Sequence, residues 1–413
     1  MKFGIELGFQ LPRPWSRESE AELYESRLTI AELADQLGFD SLWVEEHHFL
    51  EEYCHLSSPE VFLAACTQRT TQIRLGFGVM LLPPMINNPV RSAEKVAALD
   101  LLAKGRVEFG VGSSSDRLGT TAWGVDWDKR QEMTEEVLGQ VARMMVEEPY
   151  RGYDGVHFSF AARNVLPKPQ QKPHPPLWLA CSHRESILKA ASLGIGALSF
   201  GFTNFDTTKQ WVEAYHDTLR REAIPIGYSI NPNLSVLSRL ICCPSDSEAK
   251  RIGDKVHFWW YSFLHYFGYG SHKPGVTSLW DNYSKSGYKF EWDTGTIGTP
   301  EKISATLREY ERAGLDQIVF SIEAGNISHE EICATLELFA KEVLPEFKQR
   351  EEKRLHLNES LDYTLSQEVM ARKEQSDVFG EIPTIVMKDI RPWYGYMGFP
   401  LDSEGYPILD EMQ

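Results

Sequence analysis

A closed (β/α)8 barrel is the fold this sequence predicts, and three observations carry the expectation. Short β-rich apolar runs alternate with amphipathic helical stretches through eight strand-then-helix units. Strands joined by a helix each time run parallel, because a crossover between parallel strands needs that much chain. No Gly-x-Gly-x-x-Gly fingerprint follows the first strand, which counts against the rival open, doubly wound sheet. With 413 residues, the chain accommodates one barrel of about 250 residues together with insertions.

The first strand is expected over residues 3–9, before a polar, proline-punctuated loop at 10–19. Leu23, Leu28, Ile30, Leu33, Ala34 and Leu37 then draw a helical stripe over 20–37, and Gly38 ends it, as glycine does just past a helix. Residues 41–45 form the second strand, and Pro59 opens a helix to Thr70. The third strand covers 73–82, and Asn88-Pro89 opens a helix to Ala103, proline being favourable in a first turn. After the Lys104-Gly105 turn comes the fourth strand, 106–111, a Gly/Ser-rich loop, and a helix over 126–147. A proline-rich connector (166–176) leads to the fifth strand, 177–180, and a helix over 185–193. The sixth and seventh strands, 196–200 and 234–242, precede helices at 207–221 and 245–267. A Gly/Tyr/Ser-rich stretch at 268–298 interrupts the rhythm, and helix 300–313, strand 317–322 and helix 328–344 complete it. The barrel is therefore expected over 1–347. Residues 348–413, with Trp393, Tyr394 and Tyr396, form a C-terminal extension packing on the barrel or on a dimer partner.

A formal charge of -17 argues against a nucleic-acid partner, since phosphate binding needs a positive face that releases counterions. No run of about 18 apolar residues occurs, and the N-terminal segment has no apolar signal core, so neither a membrane span nor export is expected. Cys54, Cys66, Cys181, Cys242, Cys243 and Cys333 show no CxxC pair and read as reduced thiols of a cytoplasmic protein.

Barrel active sites lie at the C-terminal ends of the strands, so the polar residues there are the candidates. The fifth strand ends in Cys181-Ser182-His183-Arg184-Glu185-Ser186. Ser182 stands where a helix N-cap belongs, with Glu185 three residues on as in a capping box. Free N–H groups, the hydroxyls of Ser182 and Ser186, and the cation Arg184 are the ingredients of a phosphate site. An ordinary capped helix with a surface arginine has the same pattern. The second strand ends in Glu45-Glu46-His47-His48-Phe49. Side chains alternate along a strand, so at most one histidine of the pair faces the barrel mouth. A metal site drawing on Glu45, Glu46 or His55 is the alternative, disfavoured because neighbouring residues on a strand face apart. The fourth strand ends in Gly110-Val111-Gly112-Ser113-Ser114-Ser115, and the eighth near Glu323-Ala324-Gly325-Asn326. Phe9, Trp15, Trp123, Phe202, Trp259, Trp260 and Tyr261 cluster near the expected mouth, where core packing is their ordinary role and the wall of an apolar pocket the functional one.

These segments resemble the bacterial luciferase-like monooxygenases. Ser41-Leu42-Trp43-Val44-Glu45-Glu46-His47-His48-Phe49 is similar to that family's second-strand signature, and residues 99–112, LDLLAKGRVEFGVG, to the approach to its fourth strand. Pro175-Pro176-Leu177-Trp178-Leu179-Ala180 with Glu185-Ser186 resembles its flavin-phosphate motif. Gly298-Thr299-Pro300-Glu301 and Ala340-Lys341-Glu342-Val343-Leu344-Pro345 also have counterparts, so the ordered set covers residues 1–347. The resemblance implies a two-component enzyme: reduced FMN arrives from a separate NAD(P)H-dependent flavin reductase, reacts with O2 to a C4a-hydroperoxide, and oxygenates a small organic substrate. It implies His47 as the catalytic histidine and a flavin site drawing on Gly112, Ser113, Ser182, His183, Arg184 and Ser186. It also implies a homodimer, and a loop at 268–298 that shields the flavin from water. Two departures stand out: Gly112 replaces a reactive cysteine of the luciferases, and His183 and Arg184 stand where many relatives have small residues. The competing readings are a deazaflavin-dependent hydride transferase on the same fold, a non-catalytic subunit, and a metal-dependent hydrolase. An apolar or aromatic substrate is the expectation from the aromatic side chains.

Overall fold

In the computed structural model, residues 1–200, 205–290, 295–322, 326–373, 382–385, 400–404 and 408 are described. Phe202, the strand-end residues Glu323, Ala324 and Gly325, and Trp393, Tyr394 and Tyr396 lie outside them. The chain divides into two units, Met1–Gln375 and Ser376–Gln413, and the barrel with all its helices belongs to the first.

In chain order the strands are β1 (Lys2–Leu7), β2 (Ser41–Val44), β3 (Arg74–Leu81), β4 (Val107–Gly112), β5 (Tyr150–Asp154), β6 (Ser159–Arg163), β7 (Leu177–Cys181), β8 (Gly196–Ser199), β9 (Leu234–Arg239), β10 (Ile241–Cys242), β11 (Ile297–Gly298) and β12 (Gln317–Ser321). Eight of them close a parallel barrel in the order β1-β12-β9-β8-β7-β4-β3-β2. These are the eight strands expected from the sequence. The helices are α1 (Ser19–Leu37), α2 (Pro59–Arg69), α3 (Pro89–Leu102), α4 (Arg117–Ala122), α5 (Arg130–Val146), α6 (Arg184–Ser192), α7 (Phe205–Glu222), α8 (Asp246–Gly253), α9 (His257–Leu264), α10 (Leu279–Ser286), α11 (Pro300–Arg312), α12 (His329–Glu342) and α13 (Leu344–Met370). The last runs unbroken past residue 347.

The punctuation works as local chemistry requires. Gly38 closes α1 at φ +84°, a left-handed conformation that costs glycine little, and its N–H reaches back to Ala34 and Asp35. Asn88 caps α3 by accepting from the N–H groups of Val90 and Arg91, with Pro89 in the first turn.

Four local features differ from the sequence reading. Between the helix expected over 126–147 and the proline-rich connector lies an antiparallel hairpin, β5–β6, whose residues are mostly half-buried or exposed and therefore show little apolar alternation. The seventh strand stops at Arg239, and β10 beyond it pairs with β11 in a separate two-stranded sheet. The expected helix over 245–267 is broken into α8, a 3-10 turn, α9 and a π-helical turn at His265–Tyr269. Part of the 268–298 stretch is helical, as α10.

Inside the barrel, two indoles pack against each other. Trp43 and Trp178 meet edge to face at 5.5 Å and are almost fully buried with Leu198, Leu237 and Val319. Glycines make this possible. A Cβ on Gly76 would lie 2.2 Å from the Trp43 ring, and one on Gly196 would lie 2.3 Å from Trp178. Both indole N–H groups are satisfied: Trp43 Nε1 donates to Ser41 Oγ at 2.8 Å and Trp178 Nε1 to Glu108 Oε2 at 2.6 Å.

Candidate active site

At the C-terminal ends of the strands a cavity of about 270 Å³ opens, with segments from most of the barrel contributing to its walls. Among the expected site residues, His47, Gly112, Ser113, Ser182, His183 and Ser186 all line it. Arg184 does not. It points instead to a separate outer groove with Gln210, Glu213, Asp217 and Arg220.

The two histidines after β2 part company, as alternation requires. His48 Nε2 lies 3.0 Å from Glu46 Oε1, and Glu46 in turn accepts from Leu81 N and Asn87 Nδ2, so this pair ties the β2 end to β3. His55 pairs with surface Glu20 instead of joining them. Among the described residues, no three His, Cys, Asp or Glu side chains are grouped as a metal ion requires. His47 lines the cavity between two carboxylates: Nε2 is 3.3 Å from Glu45 Oε2, and Nδ1 is 3.6 Å from Asp116 Oδ2. The second separation is an ion-pair distance, and Nδ1 is buried without a hydrogen-bond partner. Burial pulls the imidazole pKa down, but Asp116 and Glu45 outweigh it and lift His47 to about 10. Burial likewise works to raise Asp116, and His47 overrides it, holding that carboxyl below the usual range. His47 is thus an imidazolium at neutral pH.

Asp116 escaped the sequence reading because the helix it caps has six residues, too few to show periodicity. Its Oδ1 caps α4 by accepting from Gly119 N at 2.5 Å, which fixes the side chain and leaves Oδ2 toward His47. Its position, an aspartate immediately before a helical turn, was the available signal.

A second missed group is Glu6, the last inward-facing residue of β1. It is buried, lies beside Ser321 in register, and lines the cavity. Burial first, then the charge of Glu45, raise its pKa to about 7 against the opposing effects of Ser321, Arg239 and His47. Nothing in the local pattern KFGIEL marks it, since one glutamate in a strand is ordinarily solvated.

The β7 end forms the polar rim. Here the N-cap lies one residue later than expected, His183 instead of Ser182, accepting from Ser186 N while Ser186 Oγ engages the His183 backbone, and α6 starts at Arg184, one residue before the expected 185. Ser182 is consequently free of capping duty and exposed at the cavity. The cation at this rim is Arg130, from the first turn of α5. Its guanidinium stacks on Trp127 at 3.7 Å and donates to the carbonyls of Ser114 and Trp127. Gly112 keeps the wall thin, since a Cβ there would fall 2.7 Å from Val79.

The remaining wall is aromatic, though its members are not the full set that the sequence suggested. Trp259 lines the cavity with Tyr53, Phe200, Phe263 and Phe267. Trp260 packs instead against Ile241, Ile252 and Val256; Phe9 packs with Phe62 and Tyr24; Trp15 sits under Arg13.

With this geometry in place, comparison with known proteins is decisive. The luciferase-like monooxygenase family model matches residues 1–317. The chain belongs to this family. It is a flavin-dependent monooxygenase. The monooxygenase is 25% identical over 377 residues to the alkanal monooxygenase alpha chain of Photorhabdus luminescens, covering 86% of this chain and 100% of that one. It is 22% identical over 387 residues to the oxygenase component of the flavin-dependent trigonelline monooxygenase of Acinetobacter baylyi, covering 88% and 100%. Among solved structures it resembles the monooxygenase RslO1 from Streptomyces bottropensis, with a TM-score of 0.69, 25% identity, and coverage of 84% of this chain and 100% of that one.

Proposed function

We propose that the monooxygenase uses reduced FMN, delivered by a separate NAD(P)H-dependent flavin reductase, and O2 to oxygenate a small apolar or aromatic substrate, acting as a cytoplasmic homodimer. The observation that carries this reading is that His47 and the Ser182–Ser186 rim share one cavity at the same end of one barrel. The Acinetobacter relative is likewise an oxygenase component of a flavin-dependent monooxygenase.

The residues present fit the cofactor. Ser182, the first-turn N–H groups of α6 and Arg130 offer neutral and charged donors suited to a phosphate, with His183 and Ser186 shaping the cap. Arg130 takes the part expected of Arg184, which faces the outer groove. Gly112 and Ser113 border the body of the site. When bound, the reduced flavin supplies two electrons and activates O2 for transfer of one oxygen atom. His47 contributes a held proton: as an imidazolium it carries hydrogen on both nitrogens, and Nδ1 has no other hydrogen bond to satisfy. Tyr53, Trp259, Phe263 and Phe267 exclude water and give an apolar ring a surface to lie on.

The test combines the protein with a flavin reductase, NADH, FMN and isotopically labelled dioxygen across aldehydes, ketones and phenols. One labelled oxygen in a product, dependent on FMN, is expected. Tighter binding of a deazaflavin than of FMN, or label incorporation independent of flavin, would overturn the reading.

A further inference from the structure

The cavity has two chemically distinct ends. In the barrel order, β7 is four strands from β1 in either direction, so the Ser182–Ser186 rim and Glu6 stand on opposite sides of the mouth. The first side is taken by phosphate donors in the proposed cofactor reading, on which this inference rests. The second holds a carboxyl which that reading does not use.

Glu6 shares the cavity with a ring platform. Trp259, Phe263 and Phe267 recur at intervals of four residues, a spacing that puts them on one helical face. Their rings are nearly parallel in succession: Trp259 and Phe263 at 5.1 Å and 12°, Phe263 and Phe267 at 4.8 Å and 19°. The Arg239 guanidinium already lies over Trp259 at 4.0 Å, so a planar aromatic ligand meets the cavity-facing edges of this series, in edge-to-face contact. The ionisable groups that face Glu6 among the described residues are Glu45 and His47 after β2, Tyr53 and Cys54 in the following loop, and Arg239 of β9. With Asp116, which faces His47, counted in, three carboxylates stand there against one imidazolium and one guanidinium. A ligand bringing a further negative charge would add to that excess, at the cost that attends any uncompensated buried charge. A neutral ligand with a hydrogen to donate does not.

We propose that Glu6 determines substrate choice in this monooxygenase, accepting a hydrogen bond from the hydroxyl of a neutral phenol whose ring lies against Trp259, Phe263 and Phe267. Sharing that hydrogen with the carboxylate leaves more electron density on the phenol oxygen and, through it, on the ring. Glu6 acts here by recognition, without any proton leaving the substrate on binding.

The test is calorimetric titration of the full-length, FMN-loaded protein with p-cresol and with 4-methylanisole, the same ring with its hydroxyl capped. At about pH 8.5 p-cresol should bind about tenfold tighter or better, the scale of one hydrogen bond to a charged group. Glu6→Leu should bring the two probes to within about twofold while leaving FMN affinity unchanged. Should Glu6→Leu not fold, the wild-type protein supplies a second readout: a carboxyl titrating at about 7 should lose at least about threefold of its preference when the pH falls to about 5.5. Equal binding of the two probes, a preference that survives Glu6→Leu, or tighter binding of benzyltrimethylammonium or p-toluate than of p-cresol would overturn the assignment. If wild-type protein fails to bind FMN at all, it is the underlying cofactor reading that falls, and the two failures are told apart by titrating FMN first.

Discussion

Glu6→Gln should make the protein more stable, and increasingly so as pH rises. Burial and the adjacent Glu45 charge lift this carboxyl from 4.5 to about 7. A raised folded pKa means that the folded state holds the proton more tightly than the unfolded chain. The associated stability is therefore fully present below pH 4.5 and is lost as the pH climbs through about 7. Glutamine mimics the protonated acid and never ionises, so it escapes that loss. The gain should be under about 1 kcal/mol at about pH 5 and roughly 3 kcal/mol at about pH 8.5. For a unit of this size the larger figure corresponds to a rise in Tm of roughly 4 °C. Urea unfolding followed by circular dichroism at the two pH values measures it directly. A gain that is the same at both pH values, or a destabilisation at the higher one, would refute the argument that an ionised Glu6 is costly in its folded environment.

Three further outcomes are expected. His47→Ala should lower the yield of oxygenated product by about 100-fold or more with FMN affinity held within about threefold, read by product mass spectrometry and flavin titration; an undiminished yield would remove His47 from the chemistry. Arg130→Met should weaken FMN about tenfold or more, whereas Arg184→Met should change it less than about twofold, and the reverse ranking in fluorescence titration would return the phosphate cation to α6. Gly76→Ala should cost about 3 kcal/mol, since its methyl would enter the Trp43 ring; a loss in urea unfolding below about 1 kcal/mol would show that the indole can move aside.

Much of the architecture was legible because it rests on signals that are local or periodic. Eight apolar runs, each followed by a helical stripe, could only close in a few ways, and Gly38 and Asn88-Pro89 marked their own boundaries. His47 and the β7 rim were visible for the same reason: strand ends in a barrel converge on one mouth. What escaped depends on approach in space between residues far apart in the chain. Asp116 matters through its 3.6 Å separation from His47, Arg130 through a rim built by α5, and Glu6 through burial that a single glutamate does not advertise. Arg184 shows the converse. It adjoins the right segment, yet the first turn of α6 carries its side chain to the outer face. The broken helix after β10 was illegible because its apolar face continues across the π turn, so periodicity alone reports one element where the backbone makes several.

The Trp43–Trp178 pair makes positions 76 and 196 hostage to the rings they face. Any side chain larger than hydrogen at either one collides with an indole, so the two glycines and the two tryptophans can change only together. An engineer reshaping the barrel interior would have to exchange a tryptophan and its glycine as a set.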